Sequence, residues 1–175
     1  SGLVSEHILL PPVDRAVTTL SLVVVIWLWA FPQRSAAGDI ASLLAGLLVV
    51  VAGAFTGVLW VGQSVGTAFN ATLLDAGWQV FSALVAIGGV ALLLVAQPAG
   101  WGPALWMVGL LGLGHAGAFL FPETTGDFPG LVRLAHLAAY PLLFSLPALA
   151  GTEKEPGPAK ISLPTPIRKR FNSDP

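Results

Sequence analysis

Cysteine is absent from all 175 residues. That excludes a disulfide scaffold, a thiol nucleophile and a Cys-ligated metal. Charge is nearly as scarce, at 10% of residues, where a soluble domain carries about 25%. The shortage excludes an ordinary globular domain and a disordered chain. A formal net charge of −1 offers no basic field for phosphates, which excludes nucleic acid as a partner. No lysine falls inside an apolar run, so a retinal Schiff base is excluded. No Asp or Glu falls in the middle of one, which argues against a proton relay or an ion-coupled transporter. Gly-x-Ser-x-Gly, His-Glu-x-x-His and a phosphate-binding glycine loop are also missing. The chain therefore reads as non-enzymatic.

What is present is apolar sequence, 55% of the residues, in runs long enough for a bilayer. No charge occurs between Arg15 and Arg34, Asp39 and Asp75, Asp75 and Glu123, or Arg133 and Glu153. A helix crosses the hydrocarbon core in about 20 residues. The third run is too long for one crossing and breaks at Gln97-Pro98-Ala99-Gly100-Trp101-Gly102-Pro103, a hairpin composition. The reading is an all-α integral membrane protein with five transmembrane helices near 16–32, 40–62, 75–96, 103–121 and 130–150. Residues 1–15 form an outer lead-in and 151–175 a proline-rich tail. An open sheet would leave its edges unpaired in lipid, and runs such as Leu43–Ala52 lack the alternation of a barrel. The first span is not a signal peptide: Glu6 and Asp14 precede it, and Phe31-Pro32-Gln33-Arg34 is no cleavage site.

Five crossings put the termini on opposite faces. One face holds Arg34, Lys154, Lys160, Arg168, Lys169 and Arg170, the other only Arg15 and Arg133. The positive-inside rule then places the N-terminus outside and the tail in the cytoplasm of a cell with an inner membrane. Trp60 and Trp78 fall at outer helix ends, and Trp27, Trp29, Trp101 and Trp106 at inner ends, where the indole favours an interface.

Small residues suggest close helix packing. Gly53-Ala54-Phe55-Thr56-Gly57 is a small-xxx-small pattern in helix 2, and helix 4 carries Gly109, Gly112, Gly114 and Gly117. The alternative for helix 4 is room for a flat ligand. Pro141 interrupts the ladder of helix 5, and Pro147 marks the end of its regular part. The second loop, about 63–74, is polar with Gln63, Ser64, Thr67 and Asn70, and Asn70-Ala71-Thr72 matches a glycosylation acceptor. In the tail, the spacing of Pro156, Pro158, Pro164 and Pro166 favours an extended linker. Arg168-Lys169-Arg170-Phe171 is either a solvated end or a weak contact for anionic lipid.

One cluster of polar residues stands out near the outer face. His115 lies about six residues before the outer end of helix 4, and His136 about six after the outer start of helix 5. At 1.5 Å per residue both are about 9 Å deep. Antiparallel neighbours joined by a short loop can turn these imidazoles together. Arg133, His136 and Tyr140 fall at i, i+3 and i+7 on one helix 5 face. Asp75, Trp78 and Gln79 lie at the same level on helix 3, and Arg133 has Asp75, Glu123 and Asp127 as possible partners. Ionisable groups in a membrane point at a partner or a cavity. The cluster is therefore a hydrogen-bonded pin for helices 3, 4 and 5, or a pocket open to the outside. It is alternatively a bis-histidine haem b site on His115 and His136, or a metal site with Glu123 or Asp127.

A family resemblance rests on Phe69-Asn70 leading to Asp75 and Trp78, on Phe121-Pro122 and Asp127, and on Val132-Arg133-Leu134-Ala135 with Ala139-Tyr140-Pro141-Leu142-Leu143. Across residues 10–150 this texture resembles the N-terminal multi-span membrane region of bacterial sensor histidine kinases of the kind seen in Chloroflexi-like thermophiles. The resemblance implies a sensory input module that signals through helix 5 to a cytoplasmic domain. The chain departs from that pattern: it holds no kinase region, and a proline-rich tail stands where a signalling helix is expected. The competing classes are a small haem b electron carrier and an accessory subunit of a larger membrane complex.

Overall fold

The computed structural model describes residues 2–33, 35–62, 67–123 and 126–145. Within them lie α1 (Gly2–Ala30), α2 (Ala36–Val61), α3 (Leu73–Ala96), α4 (Trp101–Leu120) and α5 (Gly130–Ala139). Short 3₁₀ turns occupy Phe69–Ala71 and Tyr140–Ser145, and no strand occurs among the described residues. The segments Leu9–Ala30, Ala36–Val61, Leu73–Ala96 and Trp101–Leu120 are long and apolar enough to cross a membrane. Over the described residues the chain is all-helical, with four helices fit in length and composition to cross a membrane.

The helix ends follow local chemistry. Ser35 Oγ accepts from Gly38 N, and Thr72 Oγ1 accepts from Asp75 N, so both α2 and α3 begin on a side-chain cap. The α3–α4 hairpin turns through Gln97 and Gly100, both with positive φ. Glycine takes that conformation without strain, and Gln97 serves as the left-handed C-cap of α3.

Two boundaries differ from the sequence reading. α1 starts at Gly2 rather than near residue 16, so the expected lead-in is the first half of a helix. The helix runs through Pro11 and Pro12. Each removes a ladder donor, a loss that neighbouring helices make tolerable within a bundle, and both prolines are buried. At the other end, the α-helix of α5 stops at Ala139 instead of continuing towards 150. Pro141 has no N–H to give to the α-ladder, and the chain tightens into a 3₁₀ turn to Ser145. Residues 146–150, Pro147, Arg34, Gln63, Ser64 and the tail 151–175 lie outside the described residues.

α1 is the hub. It packs on α2, α3 and α4, while α4 also packs on α3 and α5. Leu22, Val25, Trp29, Ala86, Leu93, Met107, Val108 and Leu111 form the core between α1, α3 and α4. Val23, Val49, Trp60, Phe69 and Trp78 form a second core towards α2. Trp29, Trp60 and Trp78 are thus packing residues inside the bundle rather than interfacial anchors. Trp106 is the most exposed of the indoles, at 72%. α2 turns Leu43, Leu44, Leu47, Leu48, Val51, Phe55 and Val58 outward, a surface suited to lipid tails. The glycines of α4 are largely taken up by neighbours. Gly112 faces Ala86 of α3, and Gly114 lies so close to Ala135 of α5 that a Cβ there would collide with it. Gly53 of α2 likewise abuts Ala16 of α1.

Candidate functional site

At one end of the bundle, the buried cation is Arg15, on α1, with 1% of its surface exposed. Its Nε donates to Asp75 Oδ1 of α3 at 2.6 Å, and its Nη1 to Asp14 Oδ2 at 2.7 Å. Nη2 donates to Asn70 Oδ1 and, at 2.9 Å, to the backbone oxygen of Asp127. The guanidinium also lies over the Phe69 ring, 5.4 Å from its centre. Asp127 Oδ1 accepts from Phe69 N at 3.0 Å. One side chain therefore ties α1 to α3 and to the loops preceding α3 and α5. Burial of a guanidinium is tolerable because its donors meet carboxylate and amide oxygens in fork geometry.

A chain of hydrogen bonds leads inward from this pair. Gln79 Nε2 donates to Asp75 Oδ1 at 3.2 Å. That orients the amide so that Gln79 Oε1 faces His115 Nδ1 at 2.8 Å. The imidazole Nδ1–H is then the donor, and His115 Nε2 carries the lone pair. On α5, His136 Nδ1 lies 2.8 Å from the Val132 oxygen. A carbonyl only accepts, so Nδ1 again holds the hydrogen and Nε2 the lone pair. The two rings lie edge to face with centres 6.3 Å apart and an interplanar angle of 81°. His136 also meets the Tyr140 ring at 5.2 Å. Both histidines are buried, and both Nε2 atoms are without a hydrogen-bond partner. Beside this chain, Thr19 Oγ1 and Ser82 Oγ join α1 and α3 at 2.6 Å.

Of the residues singled out in the sequence, the fold brings Asp75, Gln79, His115, His136 and Tyr140 into one connected group. Trp78 and Arg133 stand apart from it. Trp78 Nε1 donates to Thr56 Oγ1 of α2 at 3.1 Å, so the indole points at the second core. Arg133 is exposed and stacks on the Phe128 ring at 4.4 Å. The reason is position on the helix: α5 presents Val132, His136 and Ala139 to α4, which turns Arg133 away. Glu123 is exposed too, and its Oε2 accepts from Gly130 N at the start of α5. Asn70 is buried against Arg15, which removes it as a glycosylation acceptor in the folded chain.

Arg133→Leu should cost little, because an exposed cation on an aromatic ring contributes about 0.5–1 kcal/mol. A melting curve in detergent close to that of the unmodified protein is the expected result. A large drop would place Arg133 in the buried network.

Sequence reasoning missed Arg15, Asn70, Thr19 and Ser82. The available signal was Arg15 with Thr18 and Thr19 at the head of an apolar run, at the level of Asp75. The donor set of the two histidines suits a metal, since each Nε2 is a fixed lone pair backed by an anchored Nδ1–H. A porphyrin between the same rings fits poorly. Its plane would pass where Ala135 packs against Gly114, one residue from each histidine. Among the described residues, no group of three or more His, Asp or Glu side chains converges as a metal site. No known protein family, curated protein or solved structure matches the chain.

Proposed function

We propose that this chain is a membrane-embedded input module, non-enzymatic, in which an event at the outer face is carried through the Arg15–Asp75–Gln79–His115–His136 chain to α5. The observation that supports the reading is that chain itself: five polar side chains buried across four helices and anchored on two loops. Polar groups buried in a membrane are expensive unless partnered, and a partnered network fixes one arrangement of the helices that carry it. In this reading the N-terminus and the Arg15 end face outward, and the basic residues of the tail face the cytoplasm of a bacterial inner membrane. α5 with its 3₁₀ extension is the fifth crossing. Ten α residues and six 3₁₀ residues span roughly 27 Å, close to the hydrocarbon thickness. A cytoplasmic signalling domain or partner subunit receives the output beyond the tail.

A chimera tests the reading. Residues 1–175 are joined to the catalytic half of a histidine kinase, and autophosphorylation is followed in nanodiscs. Gln79→Leu cuts the chain between the ion pair and His115, and should change the kinase rate severalfold while the fold persists by tryptophan fluorescence. Leu47→Ala on the exposed face of α2 should leave it unchanged. Equal rates for Gln79→Leu and the unmodified chimera would remove the signalling role.

A further inference from the structure

We propose that the groove between α1 and α2 at the Arg15 end of the bundle is a binding site for one acyl chain of a phospholipid in the leaflet at that end. The groove is separate from the buried polar chain, none of whose five residues lines it. Its volume is about 410 Å³, within the range of small-molecule sites. It runs from Leu9 to Leu20 along α1 and from Val49 to Val61 along α2, and its lining is made of leucine, proline, valine, alanine and glycine alone. Sites for polar ligands set a few hydrogen-bonding groups among their apolar walls. Here the side chains offer none, so the groove matches an occupant that is hydrocarbon wherever it touches the wall.

Length decides which hydrocarbon. α1 and α2 are antiparallel neighbours, and they close on each other halfway along, where a Cβ built on Gly46 lies 3.4 Å from Leu20 Cδ1. Leu20 and Gly46 are both about 15 Å along their helices from the connection between them, which is about the middle of the hydrocarbon core. From there to Leu9 and Val61 the groove extends roughly 17 Å, close to the depth of one leaflet. A helix of a second copy crosses both leaflets, over about 30 Å, and would lose the groove at the midplane. An acyl chain of one leaflet ends there. The protein does not fill the space itself: Ala16 and Gly53 meet on the floor, and a Cβ built on Gly57 has nothing within 4 Å. Left empty, the walls would forfeit their dispersion contacts. The rim residues Val13, Val17, Val50 and Val58 are exposed, and they continue into the outward face of α2 with Leu47 and Phe55. A lipid chain therefore reaches the groove sideways from the bilayer. Packing, not release of water, drives association inside a membrane, and a groove touches a chain on more sides than a flat helix face does.

The test uses the full chain in nanodiscs of dioleoylphosphatidylcholine that contain a phosphatidylcholine with a diazirine midway along one chain. After photolysis, mass mapping should place adducts on residues 9–20 and 49–61 severalfold more densely than on residues 80–84 of α3. That control segment lies level with Thr19, which Ser82 touches, and exposes Val80 and Leu84 without a groove. Gly57→Leu puts a side chain into the open space and should cut the groove yield severalfold. Gly88→Leu, at an equally open glycine of α3, should leave it unchanged. Even labelling of the groove and the control segment, or a groove yield indifferent to Gly57→Leu, would overturn the site. So would a dimer in native mass spectrometry that Gly57→Leu dissolves, which would give the groove to a second copy. The adduct map of the unmodified chain decides the matter if Gly57→Leu fails to fold.

Discussion

Arg15→Leu should destabilise the folded protein by about 3–5 kcal/mol, the usual cost of removing one partner of a buried ion pair. The arginine is 1% exposed and Asp75 4% exposed, so Asp75 is left as a buried carboxylate facing only Gln79 Nε2 among side-chain donors. Asn70 Oδ1 and the Asp127 backbone oxygen lose their guanidinium donors as well, which releases both loops at that end. Arg15→Lys should fall between the two, because an ammonium keeps the charge but not the planar fork that reaches four acceptors. SDS titration in mixed micelles reads these differences. An Arg15→Leu protein as stable as the parent would mean that the arginine is hydrated and contributes nothing to packing.

Gly114→Val should cost about 1–3 kcal/mol through overpacking, and it should separate the histidines. A Cβ at Gly114 meets the Ala135 Cβ, with the Leu131 oxygen and the Val132 Cα behind it. Two of these three neighbours are backbone atoms, so α5 itself has to move. His115 and His136 are the next residues along the two helices, and they part with it. Gly109 of the same helix has nothing within 4 Å of its built Cβ. Gly109→Ala is therefore the control, and should be neutral or slightly stabilising through helix propensity, which favours alanine by about 1 kcal/mol. Equal effects of the two substitutions would show that α4 and α5 are not in close contact at His115.

The helices α2, α3 and α4 were legible in the sequence because charge-free runs of bilayer length mark them and the composition of residues 97–103 marks the turn between the last two; the caps Ser35 and Thr72 start α2 and α3 a few residues earlier than those runs alone implied. The start of α1 was not legible. Pro11-Pro12 and the charges of Glu6, Asp14 and Arg15 have the composition of a boundary, and only tertiary packing turns them into helix. The meeting of His115 and His136, with ring centres 6.3 Å apart, was legible because two helices joined by a short loop are neighbours, so counting from the loop places both at one level. The identity of the buried cation was hidden. Arg15 and Arg133 sit near the same end, and choosing between them requires knowing that α1, not α5, lies at the hub of the bundle. The decisive partner of Arg15 is 60 residues away in sequence, and no local periodicity reports a contact of that range. The face of α5 was half legible: His136 and Tyr140 do meet, but a face wide enough to include Arg133 was wider than the contact with α4.

A double-mutant cycle on Arg15 and Asp75 tests most directly whether this ion pair is the joint at which α1, α3 and both loops meet. Unfolding free energies are measured for Arg15→Leu, Asp75→Leu and the double variant in the same micelles. If the pair is buried and mutual, Arg15→Leu strands the Asp75 carboxylate, whereas Asp75→Leu leaves Arg15 its half-buried partner Asp14, and the double change strands no buried charge. The double variant should then be more stable than Arg15→Leu, with a coupling of at least about 2 kcal/mol. Additive losses, with the double variant the least stable of the three, would contradict the account.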